Sequence, residues 1–365
     1  MAQDKIYITI IAILILTGYI LFAAQPIPRE TILTGNWLKL LESRYAEEEG
    51  EVPAGTGGYI LPFTLGNHFG YADSSGNLLF NKTRERNVSL STEHWVEYDP
   101  DPDRLEIRSP LNDEVLVVEN PGGYPLFMDG RIFLIGKDQT SLTELDAAGT
   151  VLWRFDFEAP LTCVDAAGGY VAAGTLDGVV DLLDSGGVRI FPSYAPGASR
   201  IPVILGCVVS SDGSKLAIIS GVDKQRFLFL ERYGINDYRV THHEYLTGGD
   251  GFRREVFLRF IDNDSMVVFE REEGLGVFDI KSGATLTLPL EGRLEAVDDS
   301  GEGGILFFIT AEKGAGRRRL IAIKFPSLIL INAPFKSGVS FLARRGEELF
   351  IGGGMTLASF KLDKR

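Results

Sequence analysis

The residues whose types and spacing could do chemistry are few. Asp99-Pro100-Asp101-Pro102-Asp103 sets three carboxylates at alternate positions, as calcium loops do. An EF-type loop wants glycine at its sixth position and glutamate at its twelfth, and those places hold Arg104 and Pro110. The two prolines stiffen the loop and remove backbone donors. The stretch therefore reads first as a solvated hairpin tip, with Asp99, Asp101 and Asp103 as its candidate metal ligands. The histidines are His68, His94 and the pair His242-His243. Neighbours on a strand point to opposite faces, so the pair is poorly placed to chelate one ion, and no HExxH pattern occurs. Cys163 and Cys207 are the two cysteines. Both sit in apolar strand-like runs, which suits buried thiols packed as small hydrophobes. A bridge between them is the second reading. No Gly-x-Ser-x-Gly elbow or P-loop is present, nothing selects a catalytic triad, and no cofactor is expected. Arg317-Arg318-Arg319 follows Gly314-Ala315-Gly316, with doublets at Arg253-Arg254 and Arg344-Arg345. These arginines are expected on exposed loops. A sharper reading places Arg317, Arg318 and Arg319 on one rim, holding an acidic partner, because arginine is favoured at interface anchors.

The elements that would position these groups follow from composition and pattern. The chain has 365 residues, 45% of them apolar, with 42 glycines, 16 prolines and 23 phenylalanines. That combination suits many short strands joined by tight turns. A formal charge of -14 argues against a nucleic-acid surface, which needs clustered Lys and Arg to release counterions.

Residues 6–24 carry no charge and are almost wholly apolar. Roughly 20 residues of helix cross the ~30 Å hydrocarbon core, so the run is expected to be an uncleaved transmembrane anchor. Residues 1–5 then form a cytoplasmic head, and the remainder is exported as the periplasmic portion of a single-pass membrane protein. Residues 25–58 are expected to hold a juxtamembrane helix and a linker. Pro26 and Pro28 stop the span, and Asn36 caps a short amphipathic helix carrying Trp37, Leu38, Leu41 and Tyr45 at helical spacing.

From Tyr59 onward the pattern changes to short apolar runs separated by Asp, Asn and Gly turns. Two segments superpose without a gap at an offset of 38 residues. One runs from Ile132-Phe133-Leu134-Ile135-Gly136 to Leu145-Asp146-Ala147-Ala148-Gly149, the other from Tyr170-Val171-Ala172-Ala173-Gly174 to Leu183-Asp184-Ser185-Gly186-Gly187. Asp-x-x-Gly closes a hairpin by pairing a side-chain acceptor with a residue tolerant of positive φ. Repeats of this length suit four-stranded propeller blades. Residues 59–365 are therefore expected to be an all-β propeller with seven blades, or alternatively eight. A strand such as Tyr59 to Phe63 is expected to complete the last blade and remove exposed edges.

Leu145-Asp146-Ala147-Ala148-Gly149-Thr150-Val151-Leu152-Trp153 resembles the turn-and-tryptophan signature of quinoprotein-type (PQQ-like) propeller repeats. Ser210-Ser211-Asp212-Gly213-Ser214-Lys215-Leu216-Ala217 is similar to the opening hairpin of WD40- and TolB-like blades. Enzymes of the quinoprotein superfamily hold their cofactor over a disulfide of adjacent cysteines. Here the two cysteines are 44 residues apart, so that feature is missing. The resemblance implies the non-enzymatic branch, which includes an outer-membrane assembly lipoprotein, although the lipid-bearing cysteine is also missing.

The expected function is a membrane-anchored, non-enzymatic scaffold that binds other envelope proteins on the exported side of a bacterial membrane. Its partners are the membrane itself, through residues 6–24, and proteins, with no nucleic acid. The alternative is an enzyme or small-ligand sensor with its site in the central channel.

Overall fold

Each repeat is a hairpin series too narrow to bury its own faces, so neighbouring sheets must cover one another. The computed structural model describes residues 31–41, 60–111, 114–194, 199–246, 256–271, 274–290, 292–298, 301–312, 316–336, 338–339 and 341–364. Among them the strands form eight antiparallel sheets. The one helical piece among the described residues is a 3-10 turn at Glu302–Gly304.

The first strand, β1 (Thr31–Leu40), belongs to the last sheet. Blade I follows as β2 (Ile60–Leu65), β3 (His68–Asp73) and β4 (Leu78–Thr83). Blade II is β5 (Asn87–Leu90), β6 (Trp95–Tyr98), β7 (Arg104–Arg108) and β8 (Val115–Glu119). Blade III is β9 (Gly123–Met128), β10 (Arg131–Gly136), β11 (Ser141–Leu145) and β12 (Val151–Asp156). Blade IV is β13 (Leu161–Ala167), β14 (Tyr170–Thr175), β15 (Val180–Leu183) and β16 (Arg189–Tyr194). Blade V is β17 (Ile204–Val209), β18 (Lys215–Ser220), β19 (Arg226–Gly234) and β20 (Asp237–Tyr245). Blade VI is β21 (Leu258–Ile261), β22 (Met266–Arg271), β23 (Gly274–Asp279) and β24 (Ala284–Pro289). Blade VII is β25 (Arg293–Val297), β26 (Ile305–Ala311), β27 (Arg318–Lys324) and β28 (Leu328–Phe335). Blade VIII is β29 (Phe341–Arg345), β30 (Glu348–Gly353) and β31 (Thr356–Lys364), with β1 as its outermost strand.

The superposable segments occupy the second and third strands of blades III and IV, as the repeat requires. Their turns have the expected chemistry. Asp146 Oδ1 accepts the N–H groups of Ala148 and Thr150, both at 2.8 Å. Asp184 Oδ1 accepts those of Gly186 at 2.9 Å and Val188 at 3.0 Å. Gly149 and Gly187 take φ of 80° and 73°, a region glycine enters without a Cβ penalty. A third copy, Asp73 to Gly76, closes the β3–β4 hairpin through the N–H groups of Ser75 and Asn77.

These turns also join the blades. A Cβ on Gly187 would lie 2.5 Å from the Trp153 ring, and one on Gly76 would lie 2.6 Å from the Trp37 ring. The tryptophan of an outer strand thus seats on the bare glycine of the next blade's turn. Trp153 does this from blade III to blade IV, and Trp37 from blade VIII to blade I.

Blade I shows three strands among the described residues. In blades II, III and V the N–H after the last strand donates to the turn between the second and third strands: Asn120 to Asp103 O, Phe157 to Thr140 O and Leu246 to Gln225 O. Arg84 donates likewise to Asn67 O, between β2 and β3. β2, β3 and β4 therefore stand as second, third and fourth strands.

Three expectations are corrected. Residues 31–40 form an edge strand, where a short amphipathic helix starting at Asn36 was expected. β1 pairs antiparallel with β31 along its length, from Thr31 opposite Lys364 to Leu40 opposite Thr356, with a bulge between Gly35 and Trp37. The ladder supplies hydrogen bonds that outweigh a helical spacing of four side chains. An outermost strand also leaves one face in water, so Leu38 at 70% and Leu40 at 52% exposure hide the alternation of a strand. Secondly, Ile60–Leu65 belongs to blade I, and β1 performs the closure assigned to Tyr59 to Phe63. Thirdly, the blades number eight, the alternative reading, because β1 adds a strand that the helical reading removed. The candidate anchor (residues 6–24) and the head (residues 1–5) lie outside the described residues. No described helix is long and apolar enough to cross a membrane.

Two outcomes follow from the closure and the turns. Replacing Trp37 with Ala should lower unfolding free energy by about 2–3 kcal/mol in urea titration, somewhat below the usual loss for a fully buried tryptophan. Leu38→Ala, at an exposed site on the same strand, should change it by less than about 0.5 kcal/mol. In the blade V hairpin, Asp212 is partly buried, which raises its pKa. Bonds from Ser210 and Ser214 outweigh that and hold it down at about 2. A depressed carboxylate contributes stability that is present above its unfolded value near ~4 and lost as pH falls below it. Thermal unfolding midpoints should therefore drop between about pH 4 and pH 2, and Asp212→Asn should flatten that slope.

Candidate functional site on the inner wall

The first strand of each complete blade faces the axis of the ring, and these strands touch across several junctions, including β9 with β13, β13 with β17 and β17 with β21. β17 shows why the wall is tight here. Its Ile204, Cys207 and Val209 pack toward blade IV, while Leu205 and Val208 pack toward blade VI. Both faces of the strand are thereby buried, which a run of apolar residues with no polar alternation anticipates.

Between the inner strands of blades IV, V and VI a cavity of about 260 Å³ opens, lined by Thr162, Cys163, Asp165, Gly206, Cys207 and Arg259 among others. Asp165 is its central titratable group. Burial pushes its carboxyl above the usual range, and the Val209 N–H and the Arg259 charge pull it some of the way back. The N–H of Val209 donates to Asp165 Oδ2 at 3.0 Å. This side chain from blade IV therefore satisfies a main-chain donor of blade V. Thr162 acts similarly, its hydroxyl reaching Ile204 O of blade V at 2.6 Å. The polar groups of the cavity thus do joining work, and the same groups provide a carboxyl, a guanidinium and two thiols to anything small that enters.

The residues singled out in the sequence lie elsewhere. Asp99, Asp101 and Asp103 occupy the exposed tip between β6 and β7. Asp99 faces Arg86 at 3.7 Å, and Asp101 pairs with Lys137. Among the described residues no three His, Cys, Asp or Glu side chains converge as a metal site requires. His242 stacks on Phe278, with centroids 4.5 Å apart, while its neighbour His243 faces solvent, as strand alternation demands. The arginine run is divided: Arg317 is exposed, Arg318 binds Glu295 at 2.5 Å, and Arg319 binds Glu312 at 2.9 Å. Arg344 is not a surface charge. It is 7% exposed, donates to Ile305 O of blade VII at 3.2 Å and lies over the Phe307 ring. Arg253-Arg254 lies outside the described residues. Asp165, Arg259 and the thiol pair were not foreseen as one site, because they come from three different blades. The repeat offset was the only signal that could have aligned them.

Eight sheets in a ring, joined through outer-strand side chains and inner-wall polar groups, define a β-propeller. The chain belongs to the family described as beta-propeller protein, whose sequence profile matches residues 1–364. An uncharacterized protein of Treponema pallidum (strain Nichols) is 28% identical over 294 residues, covering 80% of this chain and 77% of that protein. The crystal structure of BamB from Moraxella catarrhalis is similar in fold, with a TM-score of 0.57 at 13% identity over 90% of this chain and 100% of that one. The computationally designed Ika8 protein is similar at a TM-score of 0.57 and 15% identity, over 83% of this chain and 96% of that one.

Asp165 offers a clean test of the joining role. Asp165→Ala leaves the Val209 N–H without its acceptor and should reduce unfolding free energy by about 1–3 kcal/mol. Asp165→Asn keeps an acceptor oxygen and removes the buried charge. A raised carboxyl contributes stability that is fully present at acid pH and lost as pH rises through its folded value. Chemical denaturation at neutral pH should therefore find Asp165→Asn at least as stable as the native chain.

Proposed function

We propose that the protein is a non-enzymatic propeller scaffold, tethered to a bacterial membrane by residues 6–24 and presenting its ring to envelope proteins on the exported side. The observation that carries this reading is the distribution of exposed apolar side chains. Many of them lie on outer strands and on one projecting hairpin. Val151 and Leu152 on β12 are 56% and 57% exposed, and Leu328 and Ile329 on β28 are 55% and 54% exposed. The β19–β20 hairpin, with nine residues in each strand, carries Tyr233 at 60% and Ile235 at 88% exposure near its tip. Arg239 lies over the Tyr233 ring with its guanidinium 5.0 Å from the centroid. Tyrosine and arginine beside an exposed aliphatic residue make the kind of anchor that protein interfaces favour. The apolar run at residues 6–24 supports the tether, since a span of that length suits a bilayer. A membrane-held domain meets membrane-held partners at raised effective concentration.

The inner-wall cavity favours a second reading, a sensor for a small polar ligand held by Asp165 and Arg259.

One experiment in intact cells separates the two. A photo-crosslinking residue placed at Ile235 should yield adducts with other membrane-fraction proteins, and the same residue at Val164 should yield none. Adducts confined to Val164 would replace the scaffold with the sensor. In the same cells, removal of residues 1–25 should shift the protein from the membrane pellet to the soluble fraction. Retention in the pellet would rule out the tether.

A further inference from the structure

The two cysteines occupy equivalent inner strands of adjacent blades, Cys163 on β13 of blade IV and Cys207 on β17 of blade V. Their Sγ atoms are 3.3 Å apart, with both thiols free. The approach depends on a glycine. A Cβ on Gly174, the β14 residue beside Cys163, would stand 2.7 Å from Cys163 Sγ and 2.4 Å from Ile204. Only glycine there lets β13 and β17 close to this distance. The two sulfurs differ in access. Both line the cavity, but Cys163 is partly exposed, whereas Cys207 is 3% exposed and packed in the core between blades IV and V.

We propose that Cys163 and Cys207 form a reversible disulfide across the inner wall, made by exchange with a small-molecule disulfide that enters the cavity. A disulfide needs its sulfurs at about 2.05 Å and its Cβ atoms about 3.5–4.5 Å apart. Bringing the sulfurs together thus takes a displacement of little more than 1 Å, which side-chain rotation and a slight approach of two strands supply.

The sequence of bonds follows from access. Cys163 loses its proton to solvent, and its thiolate attacks one sulfur of the small disulfide, releasing the first small thiolate. Cys207 then loses its proton and attacks Cys163 Sγ, releasing the second. The protein gives up two electrons and two protons, and the small disulfide becomes two thiols. The order is fixed by access, since Cys163 is partly exposed and Cys207 is buried, and the hydrogen bond from Cys163, burial and the nearby Asp165 charge also hold the Cys207 thiol high. It therefore attacks only a sulfur already delivered to its side. The product ties blade IV to blade V in the wall of the cavity and fixes their separation there. The bond requires only these two strands, so it stands whether or not the scaffold reading does.

The test uses the full-length chain equilibrated with glutathione and glutathione disulfide at graded ratios. Free thiols are then alkylated in denaturant and the intact mass is measured. The expected result is a monomer that loses both alkyl adducts together, is lighter by two hydrogens and is restored by excess reduced glutathione. Retention of both adducts at the most oxidising ratio, or a covalent dimer on a non-reducing gel, would overturn the proposal. Two variants read the order of attack. Cys207→Ala should trap one glutathione on Cys163, and Cys163→Ala should leave Cys207 unmodified while folded. The reverse pattern would refute the assigned roles, and the native-chain measurement remains decisive if either variant folds poorly.

Discussion

The structure depends on closure. A sheet of three or four short strands buries its faces only when another sheet lies on each side, and a row of such sheets has two bare ends until it becomes a ring. Antiparallel pairing between β1 and β31 removes those ends. It joins a strand from one extremity of the described chain to a strand from the other, so the whole intervening sequence is held as one loop. The buried clusters between blades, such as the one in which Phe227 stacks on Phe269 at 4.2 Å, exist in their present form because the ring cannot open.

Within that frame, polar groups recur at blade junctions in one role. Asp165 and Thr162 reach from blade IV to main-chain groups of blade V. Arg344 of blade VIII reaches a carbonyl of blade VII, and Ser89 of blade II reaches Pro125 O of blade III at 2.7 Å. Glu244 of blade V accepts from Arg271 and Thr285 of blade VI. Apolar packing between sheets has little directional preference. Hydrogen bonds to particular main-chain atoms fix how far one blade slides on the next. The inner-wall cavity is a place where this arrangement leaves space, and its chemistry is inherited from the joining groups around it.

Much of this was legible in the sequence, and the limits have physical causes. The turn aspartates and glycines at Asp146, Gly149, Asp184 and Gly187 act within a few residues of themselves, so they announced the hairpins and their period directly. Five blades between Gly123 and Phe335 follow from that local signal. β1 was hidden because its partner lies more than three hundred residues away and its outward face carries Leu38 and Leu40. A strand whose only ladder is so remote leaves no local trace, and the count of blades was one short as a result. The candidate site was not legible for a related reason. Asp165, Cys207 and Arg259 are neighbours only because three repeats are laid side by side, and each looks ordinary within its own strand. Arg344 shows the converse: one member of a doublet that looked like surface charge proved to be an internal donor.

The seam has a mechanical meaning. Thr31 stands opposite Lys364 at one end of the β1–β31 ladder, and the Trp37 contact with Gly76 lies further along it. Tension applied at Thr31 enters the ring at that terminal pair. If the pull is directed away from the sheet, bonds break successively from Thr31 inward. If it is directed along the strand, all of them resist at once. The bulge between Gly35 and Trp37 divides the ladder into two lengths, so a peeling front must pass an irregular step before it reaches the tryptophan. The propeller's resistance to force is therefore set by the direction of the pull as much as by the number of bonds in its closing pair.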